Sequence, residues 1–250
     1  MTYLAILALV AVAVLLFRAR GVIAVQLSIP KMEVGDYEGA LRTVRWASLG
    51  FPNPLVLHRK ALTLSFADRP AEAERCYRQA LGMMQRHPAY RWERLYASLG
   101  FVLIDLARYD EAEQCFHRAI ELGDVTGNSQ DGLAELRLVQ GVEAEQALDY
   151  VCQAIEHAKR RRDGRIPPGY HAHQAWALGL LGRAEEAREP LAESLRVPHP
   201  RPYANAGQQW FVGMALVAMQ KPDEARKHFQ LGRDVDPRGK YGRLCGEHLG

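Results

Sequence analysis

YASLGFVLIDLARYDEAEQCFHRAIEL, running from Tyr96 to Leu122, is the stretch that decides the fold class. Within it Gly100, Ala112, Phe116 and Ala119 follow one another at intervals of twelve, four and three residues. The same intervals return in Ala61, Ala73, Tyr77, Ala80 and in Gly213, Ala225, Phe229, Gly232. Looser copies are Ser28, Ala40, Val44, Ala47 near the start and Ala175, Ala187, Leu191, Ser194 further on. A further copy, Ala134, Ala147, Val151, Ala154, carries one extra residue in its turn. The alanines Ala40, Ala73, Ala112, Ala147, Ala187 and Ala225 thus mark six units, 33 to 40 residues apart.

Small residues at these positions let two antiparallel helices approach closely. The larger residue four places after each alanine lies on the same helical face and reaches toward the next unit. Each unit therefore buries its apolar face only when a neighbour stacks on it. Short polar stretches join the two helices of a unit, among them GDYEGA from Gly35, ARYDEA from Ala107 and QKPDEA from Gln220. Acidic residues there suit the amino end of the second helix. Pro52, Pro88, Pro198 and Pro237 follow second helices, where a helix must stop.

This pattern resembles the tetratricopeptide repeat over roughly residues 28 to 238. The resemblance implies an all-α, right-handed α-solenoid of about six helix-turn-helix units, residues 21–238, with residues 239–250 as a partial, glycine-rich cap. Two prolines depart from the pattern: Pro30 is expected to interrupt the first helix of unit one, and Pro190 to kink the second helix of unit five.

Tyr3 to Phe17 is an unbroken apolar run closed by Arg18 and Arg20. Counted from Met1 it reaches seventeen residues, the short end of what spans a hydrocarbon core. Residues 1–20 are therefore expected to form a single-pass membrane anchor, the alternative being a buried first helix of the solenoid. The arginines after the run place the downstream chain in the cytoplasm. A cleaved leader fits less well, because no basic residue precedes the run. The layout is similar to the bacterial lipopolysaccharide assembly protein B type, without its cysteine-rich metal module.

The net charge of +3, from 32 basic and 29 acidic residues, is too balanced to indicate a nucleic-acid partner. Cys76, Cys115, Cys152 and Cys245 are too dispersed for a zinc or redox motif, and inert thiols in a reducing compartment are the expectation. Gly127 and Gly132 have the spacing of a phosphate-binding loop, but Leu133 and Ala134 stand where Lys and Ser or Thr are required. No catalytic motif is present, so the chain is expected not to be an enzyme and to need neither metal nor cofactor. The close pair His171 and His173 points two ways on a helix, and its replacement is expected to leave the fold unchanged. Lys159, Arg160, Arg161, Arg162 and Arg165 form a basic loop, read either as a contact for anionic lipid or as a solvated connection.

The resemblance implies a concave groove lined by first helices. Its ligand-facing positions fall on His58, Leu62, Ala97, Phe101, Asp131, Glu135, Ala172, Trp176, Trp210 and Met214. For Phe101, Trp176 and Trp210, packing between units is an equal alternative. The function implied is a membrane-tethered adaptor binding a protein or peptide, with a structural subunit of a cell-envelope machine on the far side of the membrane as the alternative.

Overall fold

The computed structural model describes the backbone of residues 2–48 and 53–250, and within it the side chains other than those of residues 2–4, 6–8, 10–18 and 46–48. Thirteen α-helices and one short 3-10 turn, Met84–Arg86, account for its regular structure, and no strand occurs among the described residues. The helices pair as α1 (Thr2–Glu33) with α2 (Tyr37–Ser48), α3 (Pro54–Phe66) with α4 (Pro70–Leu81), and α5 (Trp92–Asp105) with α6 (Tyr109–Glu121). Next come α7 (Asn128–Gln140) with α8 (Ala144–Lys159), α9 (Pro168–Leu180) with α10 (Arg188–Leu195), and α11 (Pro202–Ala218) with α12 (Pro222–Val235). A last helix, α13 (Lys240–Glu247), follows the sixth pair.

All six marker alanines are buried, with at most 1% of their surface exposed, which is what close approach of paired helices demands. Phe116 shows how the spacing works. Its ring sits between Gly100 of its own unit and Gly132 of the next: a methyl group on Gly100 would lie 2.6 Å from the ring, and one on Gly132 would overlap it. Phe229 packs on Gly213 in the same way. An aromatic ring pressed on a bare helix backbone fixes the distance between units more tightly than two flexible side chains could.

Every first helix ends in the same turn. The next-to-last residue of each turn takes a left-handed conformation: Gly35, Asp68, Ala107, Gly141, Gly182 and Gln220, with φ between 54° and 71°. The following N–H then donates to a carbonyl five residues back, from Asp36 to Lys31, Arg69 to Leu64, Arg108 to Leu103, Val142 to Arg137, Arg183 to Leu178 and Lys221 to Leu216. This closure satisfies carbonyls that the helix end would leave bare. Non-glycine residues in the left-handed region cost about 1–2 kcal/mol each, so Asp68, Ala107 and Gln220 hold it against their own preference. Arginines just past the turns bridge units: Arg69 pairs with Glu38 and Glu72, and Arg108 with Glu74 and Glu111. Water screens these exposed pairs, so they set register more than stability.

Both proline expectations need correction. Pro30 lies inside α1, which continues to Glu33. Three residues from the carboxyl end, its missing donor removes one hydrogen bond without undoing the helix. Pro190 stands in the first turn of α10, where an absent N–H is tolerated, and the chain from Ala184 to Ala187 runs as turns. The proline shortens the second helix of unit five instead of kinking it.

The array also curves until its ends meet. Tyr37 of unit one donates its hydroxyl hydrogen to Asp236 beyond unit six, and Arg243 of α13 pairs with Asp68. Phe66 packs on Tyr203 with ring centroids 4.2 Å apart, and Arg201 reaches Glu33 at 3.3 Å. The concave side is thereby turned into an interior.

Among the described residues no helix is long and apolar enough to cross a membrane. Most side chains of the expected anchor lie outside the described residues.

Replacing Gly132 with Ala forces a methyl group into the Phe116 ring. Overpacking costs about 1–3 kcal/mol, partly offset by the roughly 1 kcal/mol that Ala gains over Gly in a helix. A net loss of stability is expected in urea unfolding followed by circular dichroism; a gain would contradict the packing described.

Candidate functional site

The half-open space inside the curve is a cavity of about 430 Å³. First helices supply most of its wall: Leu62 from α3, Phe101 from α5, Asp131 and Glu135 from α7, His173 from α9 and Phe211 from α11. Tyr77 of α4 adds a second-helix side chain, and α13 closes one end with Lys240 and Tyr241. First helices are buried on several sides because they lie between their own second helix, the neighbouring units and this interior. Their polar residues Gln130, Asp131, Glu135, His173, Gln208 and Gln209 are consequently buried too.

Local chemistry holds α7 in place. The Asp124 carboxylate accepts the Ser129 N–H at 3.0 Å and the Ser129 hydroxyl at 2.6 Å, and also the Thr126 N–H at 2.9 Å. Burial alone would raise the pKa of Asp124, but these hydrogen bonds outweigh it and hold the carboxyl below its ordinary range. Gly127, at φ 86°, lets the chain pass close to α8: a Cβ there would meet the Ala154 carbonyl oxygen at 2.7 Å. The Tyr170 hydroxyl donates to Asn128 Oδ1 at 2.7 Å, tying the start of α9 to the start of α7.

Two buried ion pairs follow. His173 Nδ1–H donates to Asp131 Oδ1 at 2.7 Å, and Lys240 Nζ lies 2.5 Å from Asp105 Oδ1. For His173, burial opposes the charged form, but the Asp131 charge and hydrogen bond win and its pKa is raised. Lys240 is likewise held charged: burial works against it, and Asp105 outweighs burial. Glu135 is different. Burial pushes its carboxyl up to about 7, and the attraction of His173 and Lys240 recovers only part of that shift. Its closest basic nitrogen is His173 Nε2 at 3.8 Å, too far for a hydrogen bond. His173 Nε2 has no hydrogen-bond partner among the described residues.

Of the expected groove residues, Leu62, Phe101, Asp131 and Glu135 come together on this cavity. Trp176 and Trp210 are in the core, 4% and 8% exposed, and meet edge to face at 5.9 Å. Ala97 and Ala172 are buried, and Met214 packs against the cluster that holds Trp176, Trp210 and Phe229. His58 Nδ1 pairs with the Tyr90 hydroxyl at 2.7 Å, and burial lowers its pKa to about 4, so it is neutral at pH 7. The histidine pair also needs correction. His171 is half-buried, whereas His173 is 1% exposed and neutralises a buried carboxylate, so replacing it would not leave the fold unchanged. Sequence reasoning missed Lys240 and Tyr241 altogether. The basic loop lies apart from the cavity: Lys159 pairs with Glu156 at 2.8 Å, and Arg160, Arg161, Arg162 and Arg165 are exposed.

A family model described as tetratricopeptide repeat matches residues 93–122, the unit that carries Phe116. The chain has the tetratricopeptide-repeat fold. Solved structures agree along the whole array. A tetratricopeptide repeat protein from Parabacteroides merdae is 16% identical, with 92% of this chain and 83% of that chain covered and a TM-score of 0.63. PilF of Pseudomonas aeruginosa is 18% identical, covering 92% and 99%, with a TM-score of 0.57. NprR, solved in complex with its cognate peptide NprX, is 13% identical, covering 90% and 69%, with a TM-score of 0.66. No curated protein matches this repeat protein by sequence.

The Glu135 shift has a stability consequence of definite sign. With its folded pKa above the ordinary carboxylate value, the native state holds the proton more tightly than the unfolded chain. This group's contribution to stability therefore falls as pH rises from about 4.5 through about 7. Glu135→Gln is expected to raise stability by about 1–3 kcal/mol at pH 8 and by little at pH 4.5. The lowered His58 pKa acts with the opposite sign, but it is common to both proteins and cancels in the comparison. Denaturant unfolding of the two proteins at the two pH values checks this.

Proposed function

We propose that this repeat protein is a non-enzymatic binding scaffold, tethered to a membrane by residues 1–17, whose concave face takes a segment of a partner protein. The observation that carries the reading is the convergence of five successive first helices, α3, α5, α7, α9 and α11, on one partly apolar cavity. Aromatic and aliphatic side chains gathered in a concavity with a few polar groups are the usual makings of a recognition site. That NprR is solved with a peptide supports peptide recognition by this fold. A protein or peptide partner suits the nearly balanced charge better than nucleic acid does.

The tether rests on the apolar run from Tyr3 to Phe17, with Arg18 and Arg20 favouring a cytoplasmic solenoid. The exposed basic loop from Arg160 to Arg165 offers anionic headgroups a second, salt-sensitive contact.

Photo-reactive residues at Leu62 and Phe101 of the full-length chain, in native membranes, are expected to crosslink one discrete partner. The same residue at the exposed convex position Gln79 is expected to give none. Equal crosslinking from both faces would remove the concave site. The labelled chain should stay with the membrane through alkaline carbonate extraction; complete release would remove the tether.

A further inference from the structure

Helix α1 opens the array and carries a face that none of the described residues covers. Its other side is buried: a methyl group on Gly21 would meet Asn53 at the start of α3, Ala24 packs with Val44 and Val56, and Met32 Sδ accepts the Thr63 hydroxyl at 3.2 Å. Opposite these, Val22, Ile23, Gln26, Leu27, Pro30 and Val34 are exposed. Val22 shows 51% of its surface, Ile23 39%, Leu27 55% and Val34 69%. Every later first helix packs on the second helix of the unit before it, whereas no unit precedes α1 among the described residues. The end of a repeat array ordinarily presents polar side chains to water. An apolar end marks a surface that something else covers.

The face continues beyond the repeats, because α1 is one helix from Thr2 to Glu33. Counted back from Pro30 in alternating steps of four and three residues, it passes through Gln26, Ile23, Ala19, Leu16, Val12, Leu9 and Ala5. That spacing is the seam of a two-helix coiled coil. Up to Phe17 every residue of the run is apolar, so the informative part is Ala19 to Pro30, where the spacing separates the exposed apolar positions from a mixed sequence. The seam contains no charged residue and a single polar one, Gln26. Leu9, 69% exposed, is open in the same way as Ile23 and Leu27.

Gln26 indicates the occupant. A foreign apolar helix would leave its amide unpaired within the interface, at a cost of about 1–3 kcal/mol. An antiparallel copy centred on Gln26 would satisfy the amide but leave Leu9 and the seam before it without a partner. In a parallel pair related by a two-fold axis, equivalent positions face each other along the whole seam, and an amide that both donates and accepts is satisfied by its own copy. A lone polar residue in an apolar seam fixes register and copy number in this manner. The exposed apolar side chains of α1 offer roughly 500 Å² per copy, about 1,000 Å² in a pair, which reaches the area a specific interface needs. We propose that two copies of this protein associate through α1, parallel and two-fold symmetric, with Ile23 packed across the axis and Gln26 hydrogen-bonded to its equivalent in the second copy.

The two solenoids lie on the outside of such a pair, because the side of α1 that holds α2 and α3 points away from the seam. No residue of α1 lines the cavity, so both concave faces stay free. Both amino ends leave the pair in one direction, which lets two tethers enter the same membrane. The association requires neither the tether nor the concave site. Carbonate release would remove the first and absent crosslinking the second, and neither result changes the mass of the particle.

The test is the mass of the full-length protein in nonionic detergent, from light scattering with the detergent contribution subtracted. Twice the 28.1 kDa of one chain is expected at micromolar concentration. Ile23→Cys, oxidised with copper phenanthroline, should form a disulfide-linked pair well above the level given by the native thiols, and Gln79→Cys on the convex surface should not exceed that level. Ile23→Glu combined with Leu27→Glu places like charges across the seam and should raise the dissociation constant of the pair at least about tenfold. Both positions are exposed, so helical circular dichroism should be unchanged. A single-chain mass, which would leave the face to lipid or to a foreign helix, would overturn the proposal. So would a trimer or larger assembly, linkage through Gln79→Cys as strong as through Ile23→Cys, or a pair untouched by the two glutamates. The mass of the unaltered protein decides the matter even should a variant fail to fold.

Discussion

The ion pair between Lys240 and Asp105 is the interaction on which the interior of this protein depends. Its two charges lie 2.5 Å apart, with their side chains 11% and 13% exposed. Lys240 begins α13, outside the six repeated units, and Asp105 ends α5, in the third. The pair ties the last helix, which packs on α11 and α12, to the end of α5 at one end of the cavity. Removing one partner would leave the other as an uncompensated buried charge, a loss of about 3–5 kcal/mol in comparable settings. With α13 in place, Tyr241 becomes a wall of the cavity and Lys240 becomes part of the field felt by Glu135.

Closure is possible because the units beneath it are spaced so regularly. Phe116 on Gly100 and Gly132, and Phe229 on Gly213, leave little freedom in how far one helix pair stands from the next. Six identical left-handed turns leave little more in how each pair is oriented. Small, constant offsets accumulate along the array, and the end of the chain arrives beside the first two units, where Tyr37 meets Asp236 and Phe66 meets Tyr203.

What could be read from the sequence follows from the same division between neighbours and distant partners. The intervals around Ala112 and Phe116 were legible because each unit must satisfy its neighbour, a requirement written into every copy. Leu62, Phe101, Asp131 and Glu135 could be placed on the inner face for the same reason. Periodicity alone could not separate an inner-face tryptophan from a packed one, and Trp176 and Trp210 proved to be core. The pair His171 and His173 was noticed, but the buried role of His173 was not legible because its partner Asp131 is 42 residues away and carries no local signature. The contacts that close the ring span 175 and 199 residues and obey no repeat, so the partial cap could be expected at residues 239–250 but the roles of Lys240 and Tyr241 within it could not. At Asp68, Ala107 and Gln220 the left-handed conformation of the turn was hidden, because glycine would have advertised it and these residues do not.

Glu135 ties the fold to its use. A buried carboxyl whose neighbours do not neutralise it lowers stability at neutral pH, and such local costs gather where a protein binds or reacts. The cavity wall depends on α13, which packs on α11 and α12, being held to the end of α5 by the Lys240–Asp105 pair. Hydrogen–deuterium exchange of the full-length protein measures that attachment directly. If Lys240 holds α13 to Asp105, the amides of Lys240–Glu247 exchange as slowly as those of α11, and Asp105→Asn accelerates them while α5 and α6 stay protected. Fast exchange of that segment in the unaltered protein, at the rate of an undocked helix, would contradict it.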